Sequence, residues 1–276
     1  MAFPYKKILV LGATSGIGLA LSERFIERGI FVIAVGRRKQ NLDEFVQKHG
    51  SDKTVAIQFD ISKLDAIPAF AENVIKSHPD LDCIFLNSGM QRGADFSKPE
   101  SLDISLLVEE MTVNYLSYLA LSKAFLPFLL AKKEPTSLIA TSSGLSMIPL
   151  YRCPNYSASK AALHHWLLVL RWQLRDTNVK VIEIFPPAVQ TELHDAKYQP
   201  DIIDGRNLGM PLKDFTDETM EGLLGGKDQI PVGMSKIAFD SWEQERQKGF
   251  AKMTEITKAD ADKKAAAAAA AAASGN

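Results

Sequence analysis

The strongest constraint on the fold is the regular alternation of strand and helix signals along the chain. Short runs of aliphatic and β-branched residues, typical of buried parallel strands, are separated by segments with helical periodicity. The predicted strands are Lys7–Leu11, Ile30–Val35, Val55–Phe59, Cys83–Leu86, Ser137–Thr141, Val179–Phe185 and an edge strand at Ile230–Val232. This alternation predicts an α/β fold, a doubly wound three-layer sandwich with a mostly parallel sheet between two helical layers.

A glycine-rich turn follows the first predicted strand. Residues Gly12–Gly18 read GATSGIG and open a helix predicted over Gly18–Arg28. Glycines allow a tight turn and a close approach of backbone N–H groups to a pyrophosphate, and the helix N-terminus favours an anion. The turn therefore predicts a Rossmann-type dinucleotide site, although an ordinary tight loop is the alternative. Its candidate contacts are Gly12, Thr14, Ser15, Gly16, Ile17 and Gly18.

The end of the second predicted strand carries basic residues where the adenosine ribose of a dinucleotide is recognised. Arg37 and Arg38 follow Gly36, and no carboxylate appears before Asp43. A carboxylate there would accept a hydrogen bond from a free 2′-hydroxyl, whereas guanidinium groups bind a 2′-phosphate. The sequence favours NADP(H) over NAD(H), with a solvated basic turn as the alternative.

A tyrosine and a lysine lie four positions apart in the segment YSASK, Tyr156–Lys160. In a helix this spacing places both side chains on one face. A nearby cation lowers the pKa of a phenol, which would suit Tyr156 to acid–base chemistry. Alone, the pattern is as typical of a surface tyrosine and lysine. Ser143 lies thirteen residues upstream of Tyr156, directly after a predicted strand.

Together these motifs resemble the short-chain dehydrogenase/reductase family, in its shorter single-domain branch. The resemblance rests on the three residues between Gly12 and Gly16, on Ser143 and on YSASK, and it extends from Lys7 to Thr191. It implies that Tyr156 is the acid/base and that Ser143 polarises the substrate oxygen, with Ser142 as the neighbouring candidate. It further implies that Lys160 binds the nicotinamide ribose and tunes Tyr156, and that Asn114 holds a water relay.

The resemblance also implies further cofactor contacts at the ends of later strands. These are Asp60, Ile61, Asn87, Gly89, Tyr156, Lys160, Pro186, Val189 and Thr191. Pro187 stands where the family usually has glycine, and proline excludes a left-handed conformation. We therefore expect a shifted loop path beside the nicotinamide.

The implied activity is reversible hydride transfer between nicotinamide and a small carbonyl or secondary alcohol. A loosely patterned segment, residues 193–228, is expected to form a substrate lid with a short helix near Asp214–Leu224. Its apolar side chains suggest a pocket wall and an apolar substrate: Met210, Leu212, Phe215, Met220 and Leu223. Two alternatives remain open, a dinucleotide-binding regulator or scaffold and a non-redox isomerase or lyase on the same fold.

Composition limits the partners and the compartment. The net charge of −1 gives no reason to expect nucleic acid or an anionic membrane surface. The apolar stretch Tyr115–Ala131 contains Lys123 and Pro127, so we expect no membrane span. Two cysteines and the lack of a signal-peptide pattern at the N-terminus favour a cytoplasmic protein. The resemblance implies a homodimer or homotetramer.

The remaining predictions concern metal ions and the C-terminus. We expect no metal site and interpret His164 and His165 as structural, because adjacent helical residues point apart. Residues 1–258 are predicted to form one domain, with a last helix over Ser235–Thr257. Residues 259–276 include nine consecutive alanines and are predicted to be a flexible tail.

Overall fold

The computed structural model describes residues 3–274 and the side-chain surroundings of residues 3–266. Two compact units are present, residues 1–235 and residues 236–276. The ends of the predicted domain and of the predicted tail, residues 1, 2, 275 and 276, lie outside the described residues. That one domain extends to residue 258 stays a prediction.

The first unit is built on a sheet of seven parallel strands. They are β1 (Lys7–Leu11), β2 (Phe31–Gly36), β3 (Thr54–Gln58), β4 (Cys83–Leu86), β5 (Thr136–Thr141), β6 (Val179–Phe185) and β7 (Gln229–Pro231). Their order across the sheet is β3-β2-β1-β4-β5-β6-β7, and every neighbouring pair is parallel. The order reverses between β1 and β4, and open α/β sheets bind ligands outside the carboxyl ends of the strands at such a point. The predicted doubly wound fold is confirmed.

Helices connect the strands. They are α1 (Gly16–Glu27), α2 (Lys39–His49), α3 (Ile67–Ser77), α4 (Ile104–Met111), α5 (Ser117–Leu130), α6 (Pro154–Leu174), α7 (Leu212–Leu224), α8 (Ser235–Ala238) and α9 (Gln244–Ser274). Single 3-10 turns lie at Leu64–Ala66, Pro99–Ser101, Gly144–Ser146, Glu192–His194 and Gly205–Asn207. Most strand and helix ends match the sequence-based boundaries to within one or two residues, the usual uncertainty of such boundaries.

Alternate residues of each central strand belong to two separate hydrophobic cores. In β1, Leu9 and Leu11 pack in the first core, whereas Ile8 and Val10 pack in the second. The first core also contains side chains of α3, α5 and α6, and the second contains side chains of α1, α2 and α7. Successive side chains of a strand point to opposite faces, so a sheet covered on both faces must be apolar at every position.

The helical segment from Ile104 to Leu130 lies against the first core. By length and composition alone it is apolar enough to cross a membrane, and 44% of its most apolar stretch is buried inside the protein. Its buried side chains include Val113, Tyr118 and Phe125. A π-helical turn, Thr112–Leu116, separates α4 from α5. Single π-turns inside helices are frequent at functional sites.

Helix α7 corrects one prediction, that its apolar side chains line a substrate pocket. Phe215, Met220 and Leu223 are buried members of the second core, and Met210 and Leu212 pack against the same core. An amphipathic helix shows which face is buried, but its sequence does not identify the surface that this face covers. The apolar residues therefore stabilise the outer layer of the sheet. The segment between β6 and α7 contains only single 3-10 turns, and a substrate lid over residues 193–228 stays a prediction.

The alanine tract was expected to be frayed. In the structure α9 continues through it to Ser274, and the flexibility of residues 259–276 stays a prediction. Alanine has the highest intrinsic helix propensity, which explains an uninterrupted helix through this tract.

The packing of α7 predicts a large loss of stability for Phe215→Ala. Phe215 is fully buried in the second core, so truncation leaves a cavity that should cost about 3–5 kcal/mol of unfolding free energy. Leu208→Ala is the matched control, because the Leu208 side chain is 42% exposed and should change stability by less than about 0.5 kcal/mol. Urea denaturation measures both. A Phe215→Ala protein with wild-type stability would restore the assignment of α7 to a pocket wall.

Candidate functional site

The turn between β1 and α1 has the shape that the sequence predicted. Gly12 and Gly16 have φ values of 89° and 54°, which L side chains rarely adopt. A Cβ at Gly12 would lie 2.9 Å from the backbone of Ser88, and a Cβ at Gly18 would overlap the Gly12 carbonyl oxygen. The glycines therefore keep a concave cradle open at the α1 N-terminus. This cradle fits the pyrophosphate of a dinucleotide.

The other predicted residues of the turn have different surroundings. Ser15 is the N-cap of α1, but its side chain makes no capping hydrogen bond to the helix backbone. Thr14 is buried, and its hydroxyl accepts hydrogen bonds from Arg38. Ile17 is partly buried against the second core. Ser15 thus presents a polar group in the cradle, whereas Ile17 anchors the helix.

The two arginines after β2 point in different directions. Nε of Arg38 lies 3.2 Å from Oγ1 of Thr14, and Nη2 lies 2.5 Å from Oγ of Ser15. Nη1 of Arg38 donates to Oε2 of Glu192 at 2.6 Å. The side chain of Arg37 is exposed. Arg38 therefore faces the cradle, and Arg37 is open to an incoming ligand.

The predicted adenine-binding residues lie at the carboxyl end of β3. Oδ1 of Asp60 accepts hydrogen bonds from the backbone N–H of Ser62 at 3.0 Å and from its hydroxyl at 2.8 Å. Ile61 is buried in the first core. These contacts fix the turn after β3, and the predicted adenine contacts of Asp60 and Ile61 stay predictions.

The turn after β4 joins the cradle to the predicted catalytic residues. Nδ2 of Asn87 lies 3.4 Å from the Gly12 carbonyl oxygen, and Oδ1 accepts from the Thr141 hydroxyl at 2.9 Å. A Cβ at Gly89 would lie 3.4 Å from Oδ1 of Asn114 and 3.8 Å from Nζ of Lys160. Asn87 and Gly89 therefore lie at the junction of both parts of the site.

Two hydroxyl groups meet at the carboxyl end of β5. The Ser143 side chain lies close enough to Tyr156 to lower the pKa of its hydroxyl, and Oγ of Ser143 accepts from the backbone N–H of Leu145 at 3.0 Å. Ser142 is different, because its buried hydroxyl donates to the Ile184 carbonyl oxygen at 3.2 Å. Of the two candidates, Ser143 is the serine beside Tyr156.

Lys160 is buried beneath these hydroxyl groups. Its Nζ donates to the Thr141 carbonyl oxygen at 2.9 Å and lies 5.8 Å from the centre of the Tyr156 ring. Burial lowers the pKa of Lys160 to about 8, and the charges of Glu183 and Glu110 oppose this shift. Desolvation disfavours an ammonium ion, whereas nearby carboxylates favour it. The ammonium group thus titrates close to neutral pH.

The expected direction of the Tyr156 pKa shift was wrong. Burial raises the pKa of the hydroxyl, and the hydrogen bond with Ser143 only partly opposes this. Desolvation of the phenolate outweighs any cation effect, because a charged oxygen loses more hydration energy than a phenol does. Tyr156 is therefore a protonated phenol at neutral pH in this structure.

Asn114 lies in the π-helical turn between α4 and α5. Its Oδ1 accepts from the backbone N–H of Met90 at 2.9 Å, and its Nδ2 donates to the Met90 carbonyl oxygen at 2.9 Å. Nδ2 also donates to Oγ of Ser159 at 3.1 Å. Both amide hydrogens are used, so the side chain fastens the turn after β4 to α6. The water-relay role of Asn114 stays a prediction.

The segment after β6 closes the site from the other side. The Pro186 carbonyl oxygen accepts from the backbone N–H of Gly144 at 2.8 Å, which links the loops after β5 and β6. Val189 is buried in the second core. A Cβ at Gly16 would lie 3.2 Å from Cγ2 of Thr191. Thr191 therefore lies directly over the start of α1, at the predicted cofactor site.

A buried carboxylate beside the site was missed by the sequence analysis. Glu110 of α4 is fully buried, and its Oε1 accepts from the backbone N–H of Arg92 at 2.8 Å. Its Oε2 accepts from Nδ2 of Asn155 at 2.7 Å. Burial raises the pKa of Glu110, although these hydrogen bonds oppose the shift. The only sequence signal was its position one helical turn before Asn114.

A polar network near the start of the lid was also missed. Gln199 is fully buried, and its Nε2 donates to Oε1 of Gln91 at 3.0 Å and to the Leu193 carbonyl oxygen. Its Oε1 accepts from Nη1 of Arg152, whose Nε and Nη2 pair with Asp201. The network joins the loop after β4, the loop before α6 and the lid. Polar residues without periodicity give no sequence signal for such contacts.

The two adjacent histidines have no metal-binding geometry. Nδ1 of His164 lies 2.9 Å from Oε1 of Glu183, and the side chains of His164 and Glu183 are buried between α6 and β6. Within residues 3–274, no group of three or more His, Cys, Asp or Glu side chains could hold a metal ion. His164 thus has a structural contact with the neighbouring strand.

Comparison with known proteins agrees with this arrangement. The family model described as short chain dehydrogenase matches residues 6–201. The uncharacterized oxidoreductase DltE of Bacillus subtilis is 34% identical over 223 residues, which cover 81% of this chain and 86% of that protein.

Two solved structures have the same fold. A short chain dehydrogenase of Burkholderia cenocepacia in complex with NADP has a TM-score of 0.73 and 26% identity, and the match covers 91% of this chain and 98% of that one. A short chain dehydrogenase/reductase of Burkholderia phymatum in complex with NAD has a TM-score of 0.75 and 18% identity, with 92% and 96% covered. The sequence matches extend over the cradle and the Tyr156–Lys160 helix. The chain belongs to the short-chain dehydrogenase/reductase family of oxidoreductases.

Proposed function

We propose that the protein is an NADP(H)-dependent oxidoreductase that interconverts a small carbonyl compound and the corresponding secondary alcohol. One observation carries this proposal: the Ser143 side chain lies close enough to the Tyr156 hydroxyl to lower its pKa, and Nζ of Lys160 lies 5.8 Å from the centre of the Tyr156 ring. All three lie at the carboxyl end of β5, beside the glycine cradle. This arrangement offers a carbonyl oxygen two hydroxyl groups and a source of protons.

The cradle and the arginines support NADP(H) as the cofactor. Gly12, Gly16 and Gly18 leave room for a pyrophosphate at the α1 N-terminus, and Arg37 and Arg38 can pair with a 2′-phosphate. When bound, the cofactor supplies or accepts the hydride. The Burkholderia cenocepacia relative holds NADP and the Burkholderia phymatum relative holds NAD, so the preference rests on the arginines.

The proton for reduction comes from Tyr156 in this proposal. Because burial raises the pKa of the phenol, Tyr156 is protonated at neutral pH and can donate to a developing alkoxide. Ser143 holds the substrate oxygen beside it. Lys160, with a pKa of about 8, is close enough to neutral pH to replace a proton that Tyr156 has given up. The proton thus moves along groups that the protein itself buries.

The substrate in this proposal is a small molecule. The apolar residues of α7 belong to the second core, so they give no reason to propose an apolar substrate. We therefore propose a small carbonyl or alcohol substrate without an apolar requirement.

We also propose the partners and compartment that the sequence suggested. The thiols of Cys83 and Cys153 are free and buried, which suits a reducing, cytoplasmic environment. Exposed apolar side chains of α4 and α6, Ile104, Val108 and Val169, suit a homodimer or homotetramer. We propose no nucleic acid, membrane or metal ion as a partner; the helical segment Ile104–Leu130, apolar enough to cross a membrane, lies against the first core.

Tyr156→Phe should abolish turnover without abolishing cofactor binding. The variant removes only the hydroxyl that donates the proton, so the rate of carbonyl reduction should fall about 100-fold or more. The NADPH dissociation constant, measured by fluorescence titration, should change less than about threefold. Tyr151→Phe is the matched control, because Tyr151 is 91% exposed. Unchanged carbonyl reduction by Tyr156→Phe would contradict Tyr156 as the proton donor. NADPH binding by the wild type without reduction of any carbonyl compound would favour a regulator, an isomerase or a lyase.

Replacing both arginines after β2 should remove the cofactor preference. In Arg37→Ala/Arg38→Ala, the ratio of the NADH and NADPH dissociation constants should fall about tenfold, equivalent to ~1.4 kcal/mol. Arg28→Ala removes a similar charge at the opposite end of α1 and should leave the ratio unchanged. A ratio that stays constant in the double variant would contradict the assignment of the arginines to a 2′-phosphate.

The pKa of Lys160 predicts how stability depends on pH. Between about pH 8 and its ordinary value of 10.5, the unfolded chain holds a proton that the folded protein has released. Raising the pH therefore favours the folded state. Relative to Lys160→Met, the wild-type unfolding free energy should rise by about 2 kcal/mol between about pH 7 and about pH 9.5.

Urea denaturation of both proteins at the two pH values measures this difference. The exposed Lys123 of α5 provides the control, because Lys123→Met should show no such pH dependence relative to the wild type. A difference that stays constant or falls with pH would contradict a depressed pKa for Lys160.

A further inference from the structure

An ion pair joins the cofactor cradle to the start of the lid. Nη1 of Arg38 lies 2.6 Å from Oε2 of Glu192, although the two residues are 154 positions apart in the sequence. Arg38 is the N-cap of α2, and Glu192 directly follows Thr191. The ion pair thus links two segments that the proposed function assigns to the cofactor.

The Glu192 carboxylate also reaches the start of α1. The nearby Ser15 hydroxyl helps to lower the pKa of Glu192, and Nη2 of Arg38 lies 2.5 Å from the oxygen of the same hydroxyl. Ser15 is the N-cap of α1, where the helix dipole favours an anion. A carboxylate of the protein therefore uses the same two groups, a guanidinium and a serine hydroxyl, that a phosphate of the dinucleotide would use.

Glu192 carries its charge at neutral pH. Partial burial opposes its ionisation, but the hydrogen bond and the charge of Arg38 outweigh this and hold the pKa of the carboxyl below its ordinary value. Both side chains of the pair are still partly exposed, at 40% for Arg38 and 33% for Glu192. A pair of this kind is weak enough to be exchanged for a ligand.

We propose that Glu192 is an internal competitor for the phosphate groups of the cofactor. This inference rests on the proposed function, because it takes NADP(H) as the ligand of Arg38 and Ser15. When the cofactor binds, a phosphate replaces the Glu192 carboxylate on Arg38. Glu192 therefore lowers the affinity of the protein for the cofactor. Cofactor binding releases Glu192 and thereby removes one contact that holds the start of the lid.

The path from Glu192 into the lid is short. Glu192 begins the 3-10 turn Glu192–His194. Oδ1 of Asp195, the residue after this turn, lies 2.6 Å from Nε of Arg206. Thr191, on the other side, lies against Gly16. Exchange of the carboxylate for a phosphate frees the residue directly before the lid while the two flanking contacts remain.

Glu192→Gln tests the competition directly. The variant keeps the size of the side chain and removes its charge, so the NADPH dissociation constant should decrease about threefold or more at low salt. This gain in NADPH affinity over the wild type should be smaller at high salt, because salt screens the Glu192 charge in the wild type. Fluorescence titration with NADPH and with NADH gives both constants, and thermal melting checks that the variants are folded.

Two further variants make the result specific. Glu192→Ala also removes the charge and should change affinity in the same direction. Glu134→Gln makes the same charge change at an exposed residue just before β5, at the amino-terminal end of the strands and away from the cradle. This control should leave the affinity for NADPH unchanged. A gain for NADPH alone assigns the competition to the 2′-phosphate, and a gain for both cofactors assigns it to the pyrophosphate.

The contradicting outcomes are equally distinct. Equal or weaker binding of NADPH by Glu192→Gln, with normal binding by the wild type, would overturn the competitor role and leave the proposed function intact. A wild type that binds neither NADPH nor NADH would overturn the proposed function and this inference together.

Discussion

The buried ammonium group of Lys160 is the interaction on which the rest of the site depends. A cation in the protein interior is stable only with hydrogen-bond partners and compensating charge. The Thr141 carbonyl oxygen is the hydrogen-bond partner of Lys160, and the buried carboxylates Glu110 and Glu183 provide the compensating charge. Each of these carboxylates in turn has its own partner, Asn155 or His164. The cost of burying one lysine thus explains a polar network that spans β5, β6, α4 and α6.

The same network fixes the positions of Tyr156 and Ser143, the proposed reacting groups. Asn155 precedes Tyr156 directly, so the Glu110 contact holds the start of α6 against α4. Asn114 fastens the turn after β4 to the same helix through Ser159. Tyr156 and Ser143 therefore have little freedom before a substrate arrives. Preorganised hydroxyl groups of this kind contribute more to catalysis than flexible ones, because less reorganisation is needed in the transition state.

The parts of the site that are local in the sequence could be predicted from it. The glycine turn, the Tyr156–Lys160 pair and the serine after β5 each lie within one turn or one helix, where spacing alone fixes geometry. The strand pattern also predicted the sheet. What could not be predicted depends on long-range contacts, such as Glu110 with Asn155, Gln91 with Gln199, and Arg38 with Glu192, which are 45, 108 and 154 positions apart. The raised pKa of Tyr156 and the core position of Phe215 were missed because both depend on burial.

The central claim is that this constellation transfers hydride between NADPH and a carbonyl carbon. Reduction of a panel of aldehydes and ketones with NADPH deuterated at the nicotinamide C4 tests it most directly, with mass spectrometry of the products. The account predicts an alcohol that carries one deuterium on the former carbonyl carbon, formed by the wild type and absent with a Tyr156→Phe protein that still binds NADPH. Tight NADPH binding by the wild type without labelled alcohol from any carbonyl compound would contradict it.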